Sequence, residues 1–319
     1  RFDYVVGLYY FFEKAWEEAA TPSSLTYVGS QGNYVVRDPT VAGITRGFRA
    51  IDRGSVAESE SKGVFVHTVY TPAILDDRMK ITLGGRYTSD NKQGTLYKVS
   101  NSPRNFQFTL EENRFDPVAT LAFDATPDIN IYGTYATGYR AGGANSRSLT
   151  FTPFQSEEVK SYEVGLKARL FDRFNLNVAA FSMDRTNTQI EFTLVAPDPT
   201  TGNTRNTVET VNAPGTSKIK GVEFDLTGRI TENLRASVSY AYTDAMVPNA
   251  RNPFPASANC PACGTIQPVY IIYTPPHAAS ASLDYNYPLS FADLRFHVDA
   301  NFSSGTQSFE QSAEKTDDA

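Results

Sequence analysis

Several features that decide the class of a protein are scarce or missing in this sequence. Its 319 residues contain no apolar run close to the roughly 18 residues that a membrane-spanning helix needs. Acidic residues outnumber basic ones by 35 to 29, and the net charge of −6 argues against a nucleic-acid partner, since such partners usually need a basic patch. The chain is therefore either soluble or crosses a membrane as β-strands, because only helices and closed barrels satisfy the backbone in lipid.

Signatures of catalysis are missing as well. The sequence has no G-x-S-x-G elbow, no P-loop and no H-E-x-x-H motif. Its three histidines, His67, His277 and His297, stand far apart on different predicted strands, which disfavours a metal role for any of them. The sequence predicts a protein that is not an enzyme and that needs no cofactor or metal.

What the sequence has in quantity is alternation of apolar and polar residues with a period of two, which indicates β-strands. Within 222–227, for example, Val, Phe and Leu alternate with Glu, Asp and Thr. The 18 tyrosines and 21 phenylalanines suit the same pleated surfaces. Strands are predicted at 2–14, 58–71, 79–98, 105–125, 128–140, 156–170, 173–194, 204–230, 233–246, 271–288 and 292–306. No useful helix is predicted, although 12–20 could form a turn or two, and a short hairpin is expected near Gly43 to Val56.

A soluble sandwich also alternates, so three further features matter. Several predicted strands run about 12–20 residues, whereas globular strands usually have ~5–6. The polar positions include charged residues, while the apolar positions often end in Tyr or Phe, as a wet lumen and aromatic girdles require. Short connections (126–128, 171–173, 231–233 and 288–290) alternate with long ones (15–57, 141–155, 195–204 and 247–270). This sorting favours an all-β, antiparallel transmembrane β-barrel with its long loops outside the cell.

Four segments resemble one family, the TonB-dependent outer-membrane receptors. Ile81 to Asp90 is similar to their L-x-x-G-x-R-Y strand, and Tyr132 to Gly143 to their Y-A-S-Y-A-x-G-F-R-x-G segment. Glu157 to Asp172 resembles the E-x-x-x-x-Y-E-x-G-x-K segment, and Ile219 to Phe224 the G-V-E-x-E/D strand. Each motif is weak by itself, but all four occur in the family's order and spacing.

The resemblance implies a 22-strand barrel in the outer membrane of a Gram-negative bacterium, with an N-terminal plug in its lumen. It also implies energy supplied through the partner TonB, which pulls on a box before the plug. Neither a plug nor a TonB box precedes Phe2, and 317–319 do not resemble a closing strand. We therefore expect 1–319 to be a single partial barrel domain, with about eleven of the 22 strands.

The two cysteines, Cys260 and Cys263, lie in the long loop after Met246. The resemblance places this loop outside the cell, where disulfides persist, so a disulfide that closes the loop is the favoured interpretation. A thioredoxin-like redox pair lacks its βαβ context, and a zinc site would need two more ligands. Two free thiols are the remaining alternative.

A ligand site is expected where a strand enters a long loop at Arg140. Gly142 and Gly143 permit backbone turns there, and loops on a rigid scaffold often carry binding residues. The predicted ligand contacts are Arg140, Asn145 and Arg147. The function implied by the resemblance is uptake of a scarce ligand, most plausibly a ferric siderophore, across a membrane whose lipid surrounds the barrel. A passive porin-type channel and a soluble all-β binding module are the alternatives.

Overall fold

The fold was obtained as a computed structural model, which describes residues 1–19, 25–27, 34–36, 53–99, 102–197, 204–257, 260–311 and 315. Within these residues lie nineteen β-strands and one 3-10 helix, Leu75–Asp77. The first ten strands are β1 (Phe2–Ala19), β2 (Leu25–Tyr27), β3 (Tyr34–Val36), β4 (Arg53–Tyr70), β5 (Met79–Val99), β6 (Ser102–Thr126), β7 (Ile129–Arg140), β8 (Gly143–Ala144), β9 (Pro153–Phe154) and β10 (Glu157–Leu170). The others are β11 (Phe174–Thr186), β12 (Gln189–Pro197), β13 (Thr204–Asn212), β14 (Thr216–Arg229), β15 (Leu234–Met246), β16 (Ala250–Arg251), β17 (Ile266–Gln267), β18 (His277–Pro288) and β19 (Asp293–Ser303). No helix in this described part is long and apolar enough to cross a membrane.

Eleven of the described strands form one antiparallel sheet in the order β1-β4-β5-β6-β7-β10-β11-β14-β15-β18-β19. Each strand pairs with its neighbour along the chain, so the sheet is a meander of hairpins. Strands β1 and β19 lie at its opposite edges, and the sheet is an open part of a barrel wall. The predicted all-β antiparallel fold with about eleven wall strands is confirmed.

One face of this wall carries large apolar side chains that remain exposed. Val164 is 62% exposed and Val298 is 64% exposed, and both lie in the middle of strands. A soluble sheet would bury such a face against a second layer, but the other described sheets have only two strands each. An exposed apolar face is what a wall that contacts lipid requires.

The opposite face is polar and is joined by hydrogen bonds across strands. Tyr132 donates from its hydroxyl to Glu163 at 2.8 Å, and Ser239 donates to Asp225 at 2.6 Å. The Tyr132 ring also covers Gly165, where an added Cβ would lie 2.4 Å from the ring. Glycine is required there because it lets the aromatic ring lie flat on the sheet. This face corresponds to the barrel lumen.

Two predicted strands, 173–194 and 204–230, are wrong as single strands, because each breaks in the structure. The first breaks at Asn187, whose φ of 54° is a left-handed conformation that Asn tolerates better than most residues. The second breaks at Pro214 and Gly215, where Gly215 has a φ of 81°. Beyond the breaks, β12 and β13 leave the wall and pair with each other as a separate hairpin.

Three smaller expectations also changed. Residues 12–19 continue β1 as strand rather than helix. The predicted hairpin at 43–56 lies outside the described residues up to 52, and 53–56 belong to β4. Strand β18 begins at His277 instead of 271 because Pro275 and Pro276 cannot donate to a sheet ladder.

Candidate ligand-facing site at the loop end of the wall

The long connections pack together at one end of the wall, and we call this assembly the loop layer. It comprises 141–156, 187–197, 204–215, 247–257, 260–276 and 304–311. The layer contains an apolar cluster of buried residues: Ile190, Phe192, Ala213, Val247, Ala250, Phe254, Cys263 and Val269. A second cluster of Leu96, Val99, Phe108 and Phe151 packs the 141–156 loop on the long β5–β6 hairpin. The loops are therefore held by cores of their own.

Cys260 and Cys263 are joined by a disulfide, with their Cα atoms 5.3 Å apart. Cys263 is buried in the larger cluster, and Cys260 packs against it. The bond closes a tight turn in the loop layer, where the Cys263 N–H also donates to the Cys260 carbonyl oxygen at 3.2 Å, next to Phe254.

The 141–156 loop folds back on itself through the short strands β8 and β9. Gly142 makes this possible, because an added Cβ would lie 2.4 Å from the carbonyl oxygen of Phe154. The Gln189 side chain donates from Nε2 to the carbonyl oxygens of Ala141 (3.2 Å) and Gln155 (3.1 Å). Both ends of the loop are therefore tied to the start of β12.

Asn145 and Arg147 lie on this loop and face the β12–β13 hairpin. Asn145 accepts a hydrogen bond from the Arg147 N–H at 2.9 Å, which forms an Asx turn, and donates to Thr210 at 3.3 Å. The carbonyl oxygen of Arg147 accepts from the N–H of Val208 at 3.2 Å. These contacts give the two residues a role in positioning the loop, in addition to any role toward a ligand.

Arg140 differs from them because its side chain is exposed at the last residue of β7. Its charge acts on Glu310, which is half-buried beside Glu191. Burial raises the pKa of Glu310 to about 7, and the neighbouring Glu191 charge adds to the effect while Arg140 opposes it. The structure thus brings Arg140 close to Glu310, and Glu191 connects this carboxyl group to Asn145, whose side-chain amide lies 3.5 Å from the Glu191 carboxylate.

Arg114 is a charged residue near this site that the sequence reasoning missed. Its guanidinium forms a two-pronged pair with Asp116 (2.7 and 3.0 Å) and lies 4.4 Å from the centre of the Tyr139 ring. Glu112 and Glu158 each lie 3.5 Å away. The alternation of charges at 112, 114 and 116 was the available signal, because it places all three side chains on one face of β6.

The Arg114 group sits where β7 ends and β6 continues past it. Tyr139 donates its hydroxyl hydrogen bond to Asp90 on β5, and Ser156 donates to Glu112 at 2.8 Å. Arg114 is only 13% exposed, so its ion pairs are shielded from salt better than surface pairs are. The group fastens the base of the loop layer to the wall.

A cavity of about 330 Å³ opens between the loop and the extended hairpins of the wall. Its charged lining residues are Glu13, Glu17, Glu58 and Lys92. Ser146 donates to Glu17 at 2.5 Å, which ties the loop to the end of β1. Among the described residues, no three His, Cys, Asp or Glu side chains are arranged to hold a metal ion. The site can contact a ligand through hydrogen bonds and charge.

A comparison with family profiles matches residues 3–318 to the TonB-dependent receptor-like β-barrel. The chain belongs to the TonB-dependent receptor family. It is accordingly a protein of the Gram-negative outer membrane and not an enzyme. The resemblance seen in four short segments is thus confirmed over almost the whole chain.

Among curated proteins, this receptor chain is 28% identical over 180 residues to the metal-pseudopaline receptor CntO of Pseudomonas aeruginosa. The match covers 56% of this chain and 23% of CntO. The chain is also 32% identical over 136 residues to the probable TonB-dependent siderophore receptor PiuA of Acinetobacter baumannii, covering 40% of this chain and 16% of that protein. Each match spans less than a quarter of the relative.

Solved structures share the fold at low sequence identity. The ferric yersiniabactin uptake receptor FyuA of Yersinia pestis superimposes with a TM-score of 0.70 at 16% identity, covering all of this chain and 42% of FyuA. The ferric-catecholate import receptor Fiu of E. coli gives 0.69 at 15% identity, covering all of this chain and 44% of Fiu. At such identity the likeness concerns the fold, and the receptor chain spans less than half of either structure.

Proposed function

We propose that this chain forms part of the wall and loop layer of a receptor that imports a ferric siderophore with energy supplied through TonB. The observation that carries the proposal is the family match over residues 3–318. The names of the curated relatives, a metal-pseudopaline receptor and a probable siderophore receptor, support iron or metal chelates as the ligand class. The family assignment favours a receptor over a porin-type channel or a soluble binding module.

The domain organisation is part of the same proposal. We expect 1–319 to act as one partial barrel domain, with eleven described wall strands of about 22. The remaining strands, the plug and the contact with TonB would belong to other parts of the receptor. The share of the solved relatives that the chain covers, 42% and 44%, is consistent with half a barrel.

Arg140 is the first residue to test for ligand contact. Arg140 is exposed, and the Gln189 side chain contacts its backbone carbonyl oxygen rather than its guanidinium. A planar guanidinium suits the carboxylate and catecholate oxygens of iron chelators, because it can donate two parallel hydrogen bonds. Asn145 and Arg147 are second candidates, since both also hold the loop.

The experiment is uptake of radioactive iron by cells that carry the full-length receptor, supplied with defined ferric siderophores. We expect uptake of at least one siderophore to depend on both the receptor gene and TonB. Arg140→Ala should reduce uptake at limiting ligand by about 10- to 100-fold, because one charge-assisted hydrogen bond contributes about 1.5–3 kcal/mol. Arg173→Ala, which removes an exposed arginine from a short turn at the opposite end, should have no effect.

Different results would reject different parts of the proposal. Uptake that persists without TonB would reject energised transport and favour a passive channel. Uptake that depends on TonB but responds equally to Arg140→Ala and Arg173→Ala would reject the ligand site. A receptor that takes up no ferric siderophore, but does take up another nutrient, would reject the ligand class.

A further inference from the structure

Three lysines form a patch on the outer, lipid-facing side of the wall. The register places Lys160 of β10 beside Asp184 of β11, and Asp184 beside Lys218 of β14. Lys220 lies two residues further along β14, paired with Asp244 at 3.3 Å. All five side chains are exposed and share the strand parity of the apolar outer face. We call Lys160, Lys218 and Lys220 the lysine patch.

The patch lies toward the loop end, just past the apolar band. The next outward positions below it are Tyr162 and Ser182, and Tyr162 packs on Tyr135 with ring centres 5.1 Å apart. Tyrosines gather where a membrane meets water, and lysines extend beyond them toward the headgroups. The lysine patch is therefore at headgroup height in the outer leaflet.

An open apolar groove of about 760 Å³ adjoins the patch on the same face. Its outward lining residues form two rows across five strands: Ile81, Leu121, Gly133, Val164 and Ala180 in one row, and Leu83, Ala119, Tyr135, Tyr162 and Ser182 in the other. Ala119, Gly133 and Ala180 are small, and this is why the wall is indented there. Lys160 is two residues beyond Tyr162 on β10, a distance of about 7 Å along a strand.

We propose that the groove and the lysine patch together bind one phosphorylated lipid of the outer leaflet. An acyl chain fills the groove and the headgroup phosphate contacts the lysines. Among the described residues, the side chains of Lys160 and Lys218 form no hydrogen bond or ion pair, so their ammonium groups can take up a phosphate. A protein subunit is a poorer fit, since an apolar groove at bilayer depth is covered by lipid without any partner.

The charges in and around the lysine patch determine how much it should strengthen lipid binding. A free basic residue at a membrane surface strengthens binding to anionic lipid by roughly fivefold. Each patch lysine should contribute less than this, because Lys220 is paired with Asp244 and Asp184 lies beside Lys160 and Lys218. Replacement of all three lysines should therefore weaken binding about tenfold. Gly133 offers a second, uncharged variant, because an added Cβ meets nothing closer than 3.9 Å. A leucine at this position would occupy the groove without a clash with the backbone.

The test uses the full-length receptor purified from outer membranes and native mass spectrometry with lipid A as the probe. The triple variant Lys160→Gln, Lys218→Gln, Lys220→Gln is compared with Lys80→Gln, Lys167→Gln, Arg173→Gln, which removes the same charge from the inner face and from a short turn at the opposite end of the wall. Gly133→Leu is compared with Ala236→Leu, which places the same side chain on the outer face away from the groove. Resistance of the folded barrel to unfolding in SDS without heating verifies that each variant has assembled.

We expect the patch triple and Gly133→Leu each to retain about tenfold less lipid A than their controls. Monophosphoryl lipid A should bind the unmodified receptor more weakly than lipid A itself. Equal retention by the patch triple and its control would overturn the phosphate contact. Equal retention by the two leucine variants would overturn the groove. Loss of a protein dimer from the patch triple, with lipid unchanged, would show that the face is a subunit interface instead.

Discussion

The wall and the loop layer place their apolar side chains in opposite ways. In the wall, Val164 and Val298 are more than 60% exposed, and the hydrogen-bonded polar residues lie on the other face. In the loop layer, Phe192 is 1% exposed and Phe254 is 3% exposed. The same chain therefore exposes apolar side chains in the wall and buries them in the loop layer.

The difference follows from the solvent that each region meets. Lipid provides no water to hydrogen-bond an exposed backbone. The wall strands therefore satisfy their N–H and C=O groups by pairing with each other, and their apolar side chains point outward into the lipid. The loop layer stands in water, where apolar burial drives folding at roughly 25 cal/mol per Å². Its clusters around Phe192 and Phe108 are small cores of a soluble kind. A change of polarity should therefore have opposite effects in the two regions.

The largest expected effect is in the loop layer. Phe192→Ala removes a fully buried ring from the larger cluster, and such truncations cost about 3–5 kcal/mol. Hydrogen exchange of the β12–β13 amides should rise strongly while the wall strands keep their protection. The matched variant Phe296→Ala removes a ring that is 56% exposed on the outer face of β19. If Phe296→Ala in lipid were as damaging to β12–β13 as Phe192→Ala, the two regions would not be independent.

The next effect tests the two faces of the wall. Val238 and Ser239 are neighbours on β15, and Val238 is 42% exposed on the outer face, whereas Ser239 bonds Asp225 on the inner face. Val238→Arg should destabilise the folded barrel by about 2–4 kcal/mol, because it places a charge near the bilayer centre. Ser239→Arg should cost much less, since Asp225 can pair with the new arginine. Folding into lipid vesicles under urea measures both, and equal midpoints would contradict the assignment of the faces.

The wall could be predicted from the sequence because the pattern that specifies each strand lies within that strand. Each wall residue faces either lipid or lumen, so a period of two specifies strand, face and neighbour at once. The eleven predicted wall strands, their meander and the sorted loops all depend on this pattern. The resemblance over 79–228 added the family, which composition could not supply.

The loop layer could be predicted less well because its structure depends on contacts between segments that are distant in the sequence. The alternation of apolar and polar residues continues through Asn187. The wall strand nevertheless ends there, because the left-handed backbone of Asn187 turns β12 away from the wall. Pro214 and Gly215 were a visible turn signal that the prediction passed over. The contacts of Asn145 with Thr210, and of Arg114 with Tyr139 and Glu158, join segments far apart in the chain, so residue spacing could not reveal them. Arg140 was predicted at a loop entrance, and its role toward a ligand stays a prediction.

The smallest expected effect concerns the 304–311 segment, which closes the loop layer through Glu310. The Glu191 N–H donates to the Glu310 carboxylate at 2.6 Å, and the Tyr270 N–H donates to the Glu310 carbonyl oxygen at 2.8 Å. Because burial raises the pKa of Glu310 from 4.5 to about 7, the docked segment binds a proton more tightly than the free segment does. Its docking is therefore strongest below pH 4.5 and weakens as the pH rises toward 7 and above.

Hydrogen exchange of the segment's amides between pH 4.5 and 8 measures this docking, after correction for the intrinsic pH dependence of exchange. Glu310→Gln should leave protection nearly constant, because a neutral amide still accepts from Glu191 and does not titrate. Glu232→Gln, at an exposed short turn on the opposite end, should retain the decline of the unmodified protein. A decline that survives in Glu310→Gln would mean that another group, Glu191 foremost, controls the closure. A decline that disappears would make the loop layer, unlike the wall, a region whose packing responds to the acidity of the surrounding water.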